Sequence, residues 1–127
     1  MEFNTFIGLV IDGGIAGARA DYNDGQHHYQ LLGSVDGFEA CRGKSIPELM
    51  VLLHVAGERA TQAHREQAED YWYHRCYQAE IEWVCNCVSA LLYNQGLQTI
   101  VTPTMRGYMR AAEIVGLDEP SPGEVSG

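Results

Sequence analysis

The chain has 127 residues, of which 46% are hydrophobic, and its 17 acidic and 8 basic residues give a formal net charge of −9. This length predicts one domain with a modest core, and no stretch approaches the roughly 18 consecutive apolar residues that a membrane span needs. The excess of acid opposes binding to a nucleic-acid duplex, because such binding depends on neutralising phosphates. We therefore expect a soluble protein with no membrane and no duplex partner.

The first 44 residues predict an antiparallel sheet. Apolar and small residues alternate from Thr5 to Asp12, and three glycine-containing segments have the composition of tight turns. These turn signals are Asp12-Gly13-Gly14, Asn23-Asp24-Gly25 and Asp36-Gly37. The four predicted strands cover residues 5–12, 15–22, 28–32 and 38–41.

A long helical segment follows, from Ser45 to Asn94. Ser45 and Glu48 have the spacing of a capping box, with Pro47 in the first turn, so a helix is predicted to begin there. The middle, residues 58–70, is polar. One continuous helix would be roughly 73 Å long, more than a domain of this size spans. We expect two helices, about 46–66 and 69–94, with a single helix packed by other subunits as the alternative.

The second of these helices has two apolar stripes on opposite flanks, whereas a surface helix needs one. This pattern predicts two packing partners and favours association of subunits. One stripe contains Tyr73, Tyr77, Ile81, Val84, Val88 and Leu91. The other contains Trp72, Cys76, Ala79, Trp83, Cys87, Ala90 and Asn94.

The C-terminal part predicts one more helix. Thr102-Pro103 is typical of a helix start, and Gly116 is typical of its end. A buried stripe is expected from Met105, Met109, Ala112 and Val115. Residues 118–127 are rich in proline, glycine, serine and acid, so we expect a disordered acidic tail after a single domain at 1–117. The predicted fold class is thus α+β: a four-stranded antiparallel sheet, long helices and a short last helix, in an oligomer.

The residue pattern predicts no catalytic centre, metal or cofactor. The N-terminus does not resemble a signal peptide, so the four cysteines are expected to be reduced thiols in the cytoplasm. Cys85 and Cys87 would point apart on a helix, and Glu80 and Glu82 likewise face different directions. We therefore predict a protein that is not an enzyme.

A binding site is suggested by arginines near the start of the last helix. Arg106 and Arg110 are four residues apart, and an arginine near a helix N-terminus suits a phosphate. Trp83 or Trp72 has a ring on which a base can stack. The alternative is that both tryptophans belong to the core or an interface and that Arg110 pairs with Glu113.

The order of a small sheet, long aromatic-bearing helices and a Pro103-Thr104-Met105-Arg106 turn resembles that of the phage anti-Thoeris proteins of the first type, over about residues 3–117. The resemblance implies an oligomer built from dimers, commonly a hexamer, that sequesters cyclic ADP-ribose isomers or cyclic di- and trinucleotides in an infected bacterium without cleaving them. The implied ligand-binding residues are Trp83, Asn94, Arg59, Thr104 and Arg106 or Arg110, with Arg19 near a second site between subunits.

Two other interpretations involve a protein partner. Residues 36–45, Asp-Gly-Phe-Glu-Ala-Cys-Arg-Gly-Lys-Ser, and the helix after them are similar to the strand–turn–helix of HicB-like antitoxin domains, which block a small basic toxin. The charge of −9 fits that role. A third hypothesis is an acidic phage inhibitor that occludes a nucleic-acid site on a host enzyme.

Overall fold

The computed structural model describes residues 1–116, which form five α-helices. These are α1 (Phe3–Asp21), α2 (His28–Ala40), α3 (Ile46–Arg65), α4 (Tyr71–Asn94) and α5 (Met105–Val115). No strand occurs within residues 1–116. The predicted four-stranded sheet, and with it the α+β fold class, is therefore wrong.

The burial pattern of α1 explains this error. Its buried residues are Phe6, Ile7, Val10, Ile11, Ile15 and Ala18. They recur at the three- and four-residue intervals of a helix, whereas a strand would bury every second residue. Because nearly every position from Phe3 to Ile11 is apolar or small, an alternating pattern can also be found there, and a short apolar run does not separate the two structures.

Two of the three turn signals lie inside helices. Gly14 is in the middle of α1, where a Cβ would overlap the Phe38 ring of α2, so this glycine serves close packing. Gly37 has the same role within α2. The third signal does form a turn, because Asn23 Oδ1 accepts from the N–H groups of Gly25 at 2.9 Å and Gln26 at 3.1 Å. This turn connects two helices.

The prediction of two helices between Ser45 and Asn94 is confirmed. The capping box of α3 is present, with Glu48 N–H donating to Ser45 Oγ at 3.3 Å and Ser45 N–H donating to Glu48 Oε1 at 3.0 Å. At the other end of α3, Gln67 has a φ of 50°. The N–H of Ala68 donates to the carbonyl of Ala63 at 3.0 Å, which is the Schellman ending of a helix.

Helix α4 is the centre of the fold. It packs against each of the other four helices, and its largest interface is with α2, whereas α3 packs against α4 alone among the described helices. The core holds residues from both predicted stripes of α4, including Ile81, Val84, Cys87 and Ala90. Contacts within one chain therefore account for most of both stripes, although Trp72 is 53% exposed, and the stripes no longer require a second subunit. The predicted oligomer stays a prediction.

Helix α5 differs from its prediction in start and orientation. The N-cap is Thr104, whose Oγ1 accepts from Gly107 N–H at 3.2 Å, and not Thr102. The helix ends at Gly116, as predicted, with a φ of 73°. Its buried residues are Gly107, Tyr108 and Ala111. The predicted buried stripe is wrong at Met109, which is 61% exposed.

The predicted acidic tail at 118–127 lies outside the described residues. Within residues 1–116, none of the helices combines the length and the apolar character needed to cross a bilayer.

Candidate functional site

A groove of about 1010 Å³ lies between α3, α4 and the segment that leads into α5. We call it the α3–α4 groove. Helix α3 contributes Leu53, His54, Gly57, Glu58, Arg59, Thr61, Gln62 and Arg65, helix α4 contributes Gln78, Glu82 and Asn86, and the segment before α5 contributes Val101 and Thr102.

The α4 side of the groove is a row of polar residues at four-residue spacing. Gln78 Nε2 donates to Glu82 Oε1 at 3.1 Å, so the amide and the carboxylate orient each other. Asn86 Nδ2 donates to Thr104 Oγ1 at 3.0 Å, and Asn86 Oδ1 accepts from Thr104 N–H at 2.9 Å. Asn86 thus connects the groove to the N-cap of α5.

The end of the groove is fixed by a buried serine. Ser89 is fully buried, and its Oγ accepts from the N–H groups of Ile100 at 3.0 Å and Val101 at 3.1 Å. These bonds satisfy two backbone donors in a segment without regular structure, which would otherwise be costly to bury. Val101, a lining residue, is therefore held in place from α4.

The α3 side contains the groove's two arginines. Glu58 Oε1 lies 3.0 Å from His54 Nε2, and Gln62 Nε2 donates to Glu66 Oε1 at 2.6 Å, so the polar residues around the arginines have partners on α3 itself. Neither Arg59 nor Arg65 makes an ion pair with a carboxylate among residues 1–116. Both are exposed, so the groove has two guanidinium groups available to a ligand.

Arg59 also lies near the tyrosines of α4. Burial raises the pKa of Tyr73 and Tyr77, and the positive charge of Arg59 opposes the rise at both. The Tyr73 hydroxyl donates to Asp36 Oδ2 at 2.6 Å, which also raises its pKa and ties α4 to α2. These phenols therefore remain neutral hydrogen-bonding groups at ordinary pH.

Two further predicted residues lie beside the groove. The guanidinium carbon of Arg106 is 5.9 Å from the centroid of the Trp83 ring, within the range of a cation–π contact. Trp83 is one helical turn before Asn86, and Arg106 follows the Thr104 cap, so this pair flanks the groove where α5 begins. Of the predicted site residues, Arg59 thus lines the groove, Thr104 bonds to the lining residue Asn86, and Trp83 and Arg106 contact each other.

The other predicted site residues are elsewhere. Asn94 Oδ1 accepts from the Tyr108 hydroxyl at 3.0 Å, at the far end of α4. Arg110 is 3.1 Å from Glu113, as in the alternative interpretation, and faces Gly13 of α1. Arg19 is exposed on α1. Of the two arginines between which the sequence left the choice open, Arg106 contacts Trp83, whereas Arg110 pairs with Glu113 and faces α1.

Several groove residues were missed from the sequence, among them Arg65, Gln62, Gln78 and Asn86. A signal for the α4 residues existed. Gln78, Glu82 and Asn86 form a polar row at helical spacing between the two apolar stripes, and such a row on an otherwise buried helix marks where its partners separate.

The cysteines have no role in this groove. All four are free and buried. Burial raises the pKa of Cys41, Cys85 and Cys87 to about 12, which keeps these thiols protonated and poorly nucleophilic. Residues 1–116 also contain no group of three or more His, Cys, Asp or Glu residues placed to hold a metal ion.

Comparison with known proteins gives no relative from which a function can be transferred: no family model, no curated protein and no solved structure matches the chain.

Proposed function

We propose that this protein binds a small anionic ligand of nucleotide size in the α3–α4 groove and does not cleave it. The observation that carries the proposal is the presence of Arg59 and Arg65 in this groove without carboxylate partners among the described residues. The chain has 17 acidic residues against 8 basic ones, so a groove lined by two arginines contains a quarter of the basic residues of the chain.

Size and polarity support a ligand of this class. Ligand sites commonly have volumes of roughly 300–1,000 Å³, and the groove is at the upper end of that range. A guanidinium group presents a planar fork of donors that matches a phosphate. The amides of Gln62 and Gln78 have both donors and acceptors, which suits the edge of a base or a ribose.

The groove also contains the carboxylates of Glu58 and Glu82, but neither of them forms an ion pair with an arginine among residues 1–116. Glu82 accepts from Gln78, and Glu58 lies beside His54, so each has a polar neighbour other than the arginines. Nearby, Arg106 and Trp83 add a further cation and a ring on which a base can stack.

Sequestration of a cyclic nucleotide signal stays a prediction within this proposal. The resemblance to anti-Thoeris proteins included an N-terminal sheet, and the resemblance to HicB-like antitoxins included a strand before α3; α1 and α2 occupy these regions instead. The proposal therefore depends on the groove, and the cyclic ADP-ribose isomers and cyclic dinucleotides remain the first ligands to test.

The test is isothermal titration with a panel of mononucleotides, cyclic ADP-ribose isomers and cyclic dinucleotides. For a ligand that binds, Arg59→Gln and Arg65→Gln should each weaken the affinity about tenfold, because each removes a charged hydrogen bond. Arg75→Gln is the matched control, since it removes the same charge from an exposed position of α4 outside the groove and should leave the affinity unchanged.

Two outcomes contradict the proposal. If no ligand of the panel binds while circular dichroism shows intact helices, the groove is not an anion site. If Arg75→Gln weakens binding as much as the groove variants, the effect comes from overall charge. Recovery of the ligand after heating, followed by chromatography, tests the second half of the proposal, because an unchanged ligand is expected.

A further inference from the structure

A second, smaller recess lies at the turn between α3 and α4, with a volume of about 390 Å³. We call it the aromatic recess. Its aromatic and ionisable lining residues are His64, Glu69, Tyr71 and Trp72, and Ala63, Gln67 and Ala68 complete the lining. It shares no lining residue with the α3–α4 groove.

Three ring systems line this recess in sequence. The rings of His64 and Tyr71 are tilted by 53° with centroids 5.5 Å apart, and those of Tyr71 and Trp72 are tilted by 63° with centroids 5.2 Å apart. Rings inclined in this way form adjoining walls. Trp72 is 53% exposed, so a large part of its ring system is in contact with water. Its exposed ring is therefore available to a ligand.

The charges around the recess are predominantly negative. Glu69 lines it, and Glu66 and Asp70 are in the same turn. Asp70 lies 3.3 Å from His74, and Gln62 donates to Glu66, but Glu69 has neither an ion pair nor a side-chain hydrogen bond among the described residues. Arg65, the nearest arginine in sequence, lines the α3–α4 groove instead of the recess.

The turn that shapes the recess has a defined backbone. Gln67 has a left-handed φ of 50°, which glycine normally supplies at this position of a Schellman ending. The hydrogen bonds from Gln67 N–H to His64 O at 3.2 Å and from Ala68 N–H to Ala63 O at 3.0 Å close the turn. The backbone that borders the recess is thus held by its own hydrogen bonds.

We propose that the aromatic recess binds an organic cation of the quaternary ammonium class. Aromatic faces attract a cation through their quadrupole, and a quaternary ammonium suits them because it is weakly hydrated and has no hydrogen bonds to lose. Glu69 supplies the neutralising charge at the rim. The recess is independent of the α3–α4 groove, so either site can be present without the other.

Choline and its neutral isostere 3,3-dimethylbutan-1-ol are the probes. Binding is followed by tryptophan fluorescence in Trp83→Phe, where Trp72 is the only tryptophan. Choline should change the fluorescence saturably, in the millimolar range expected for a small exposed site, and the neutral isostere should not. Equal responses to both compounds, or no saturable response to choline, would overturn the proposal.

Variants locate the site without relying on the reporter. Saturation transfer from the protein to the choline N-methyl protons should decrease in Trp72→Leu and in Glu69→Gln, each corresponding to about two- to fivefold weaker binding. Trp72 and Glu69 are exposed, so neither change should unfold the chain. Glu2→Gln, which removes the same charge from the exposed start of α1, should bind choline like the wild type. Equal loss in Glu2→Gln would contradict a localised site.

Discussion

The two sides of α4 that face α2 and α3 differ in how closely the partner helix approaches. On the α2 side, Gly33 and Gly37 lie directly on the α4 backbone at Tyr73 and Tyr77, with no room for a Cβ. On the α3 side, Gly57 faces the flexible end of the Gln78 side chain. The first interface is closed by backbone contact, whereas polar side chains occupy the second and leave the α3–α4 groove between them.

This difference indicates which interface of the central helix can contain a binding site. Close packing against α2, together with contacts to α1 and α5, supplies α4 with a dense core on three sides. Because α3 contacts only α4 among the described helices, its other faces are free to carry arginines, glutamines and carboxylates. The contacts of α4 with α2, α1 and α5 thus form the core, whereas its interface with α3 contains the candidate binding site.

Matched glycine substitutions should give opposite signs on the two sides. A Cβ at Gly37 would lie 2.6 Å from the Tyr77 carbonyl oxygen, so Gly37→Ala forces two backbones apart and should lower the free energy of unfolding by about 2–3 kcal/mol. A Cβ at Gly57 would lie 3.4 Å from Gln78 Nε2, which can move. Gly57→Ala should therefore raise the free energy of unfolding by up to about 1 kcal/mol through helix propensity.

Urea unfolding followed by circular dichroism measures both effects, and each substitution serves as the other's control because both replace a helical glycine by alanine. The comparison fails if Gly37→Ala is as stable as the wild type, because the interface between α2 and α4 would then have room for the added methyl group. A destabilised Gly57→Ala would show that α3 lies closer to α4 than the groove implies.

The two buried serines of the core provide a second pair. Ser89 Oγ accepts two backbone hydrogen bonds from residues 100 and 101, so Ser89→Ala should cost about 1–3 kcal/mol and loosen the end of the groove. Ser34 Oγ, on the α2 side, is buried and makes no hydrogen bond of 3.5 Å or less among residues 1–116, although the side chains of Tyr22, Cys76 and Glu80 lie close to it. Ser34→Ala should therefore change the free energy of unfolding by less than about 0.5 kcal/mol.

Hydrogen exchange at the amides of Ile100 and Val101 adds a local measurement to the unfolding curves. Ser89→Ala should accelerate exchange at both amides, whereas Ser34→Ala should not. Equal destabilisation by the two substitutions would mean that loss of side-chain volume, and not loss of the hydrogen bonds, determines the effect.

The parts of the fold that sequence predicts well are those with explicit end signals. The Ser45, Pro47 and Glu48 capping pattern located the start of α3, and Gly116 located the end of α5. In the N-terminal part no such side-chain cap exists: α1 and α2 begin without one. The glycines of that part have the composition of hairpin turns in the sequence. In the structure they permit close helix packing, through contacts with Phe38 and the α4 backbone that are distant in sequence.

The candidate site was predictable only in part, for a related reason. Arg59 and Thr104 were expected as site residues from the resemblance alone, and the N-cap of α5 was predicted at Thr102 and not at Thr104. The sequence placed Met109 inward, whereas Asn86 bonds to Thr104 and rotates α5 so that Tyr108 and Ala111 are buried. The contacts of a part-buried amide on another helix thus accompany the packing of α5, and no local pattern in α5 contains that information.

The smallest effect that we expect is a pH dependence of the free energy of unfolding that arises on the α2 side of α4. Glu80, on the α2 side near Ser34, has its pKa raised above the ordinary value of 4.5 by burial. The folded chain therefore holds this proton more tightly than the unfolded chain does, so the contribution of Glu80 to stability is greatest below pH 4.5 and is lost as the pH rises through the raised folded pKa. At pH values above the raised folded pKa of Glu80, Glu80→Gln should have a higher free energy of unfolding than the wild type.

Two other carboxylates make the stability depend on pH in the opposite direction. The Arg42 side chain lowers the pKa of Glu39, and the Ser45 backbone N–H lowers that of Glu48, so both groups lose stabilising contacts as the pH falls. The wild-type profile combines these trends, and only the difference between Glu80→Gln and wild type isolates Glu80. Urea unfolding from pH 4 to pH 8 should show the difference between Glu80→Gln and wild type growing with pH. A difference that stays constant with pH would mean that water reaches the Glu80 side chain as freely in the folded chain as in the unfolded chain.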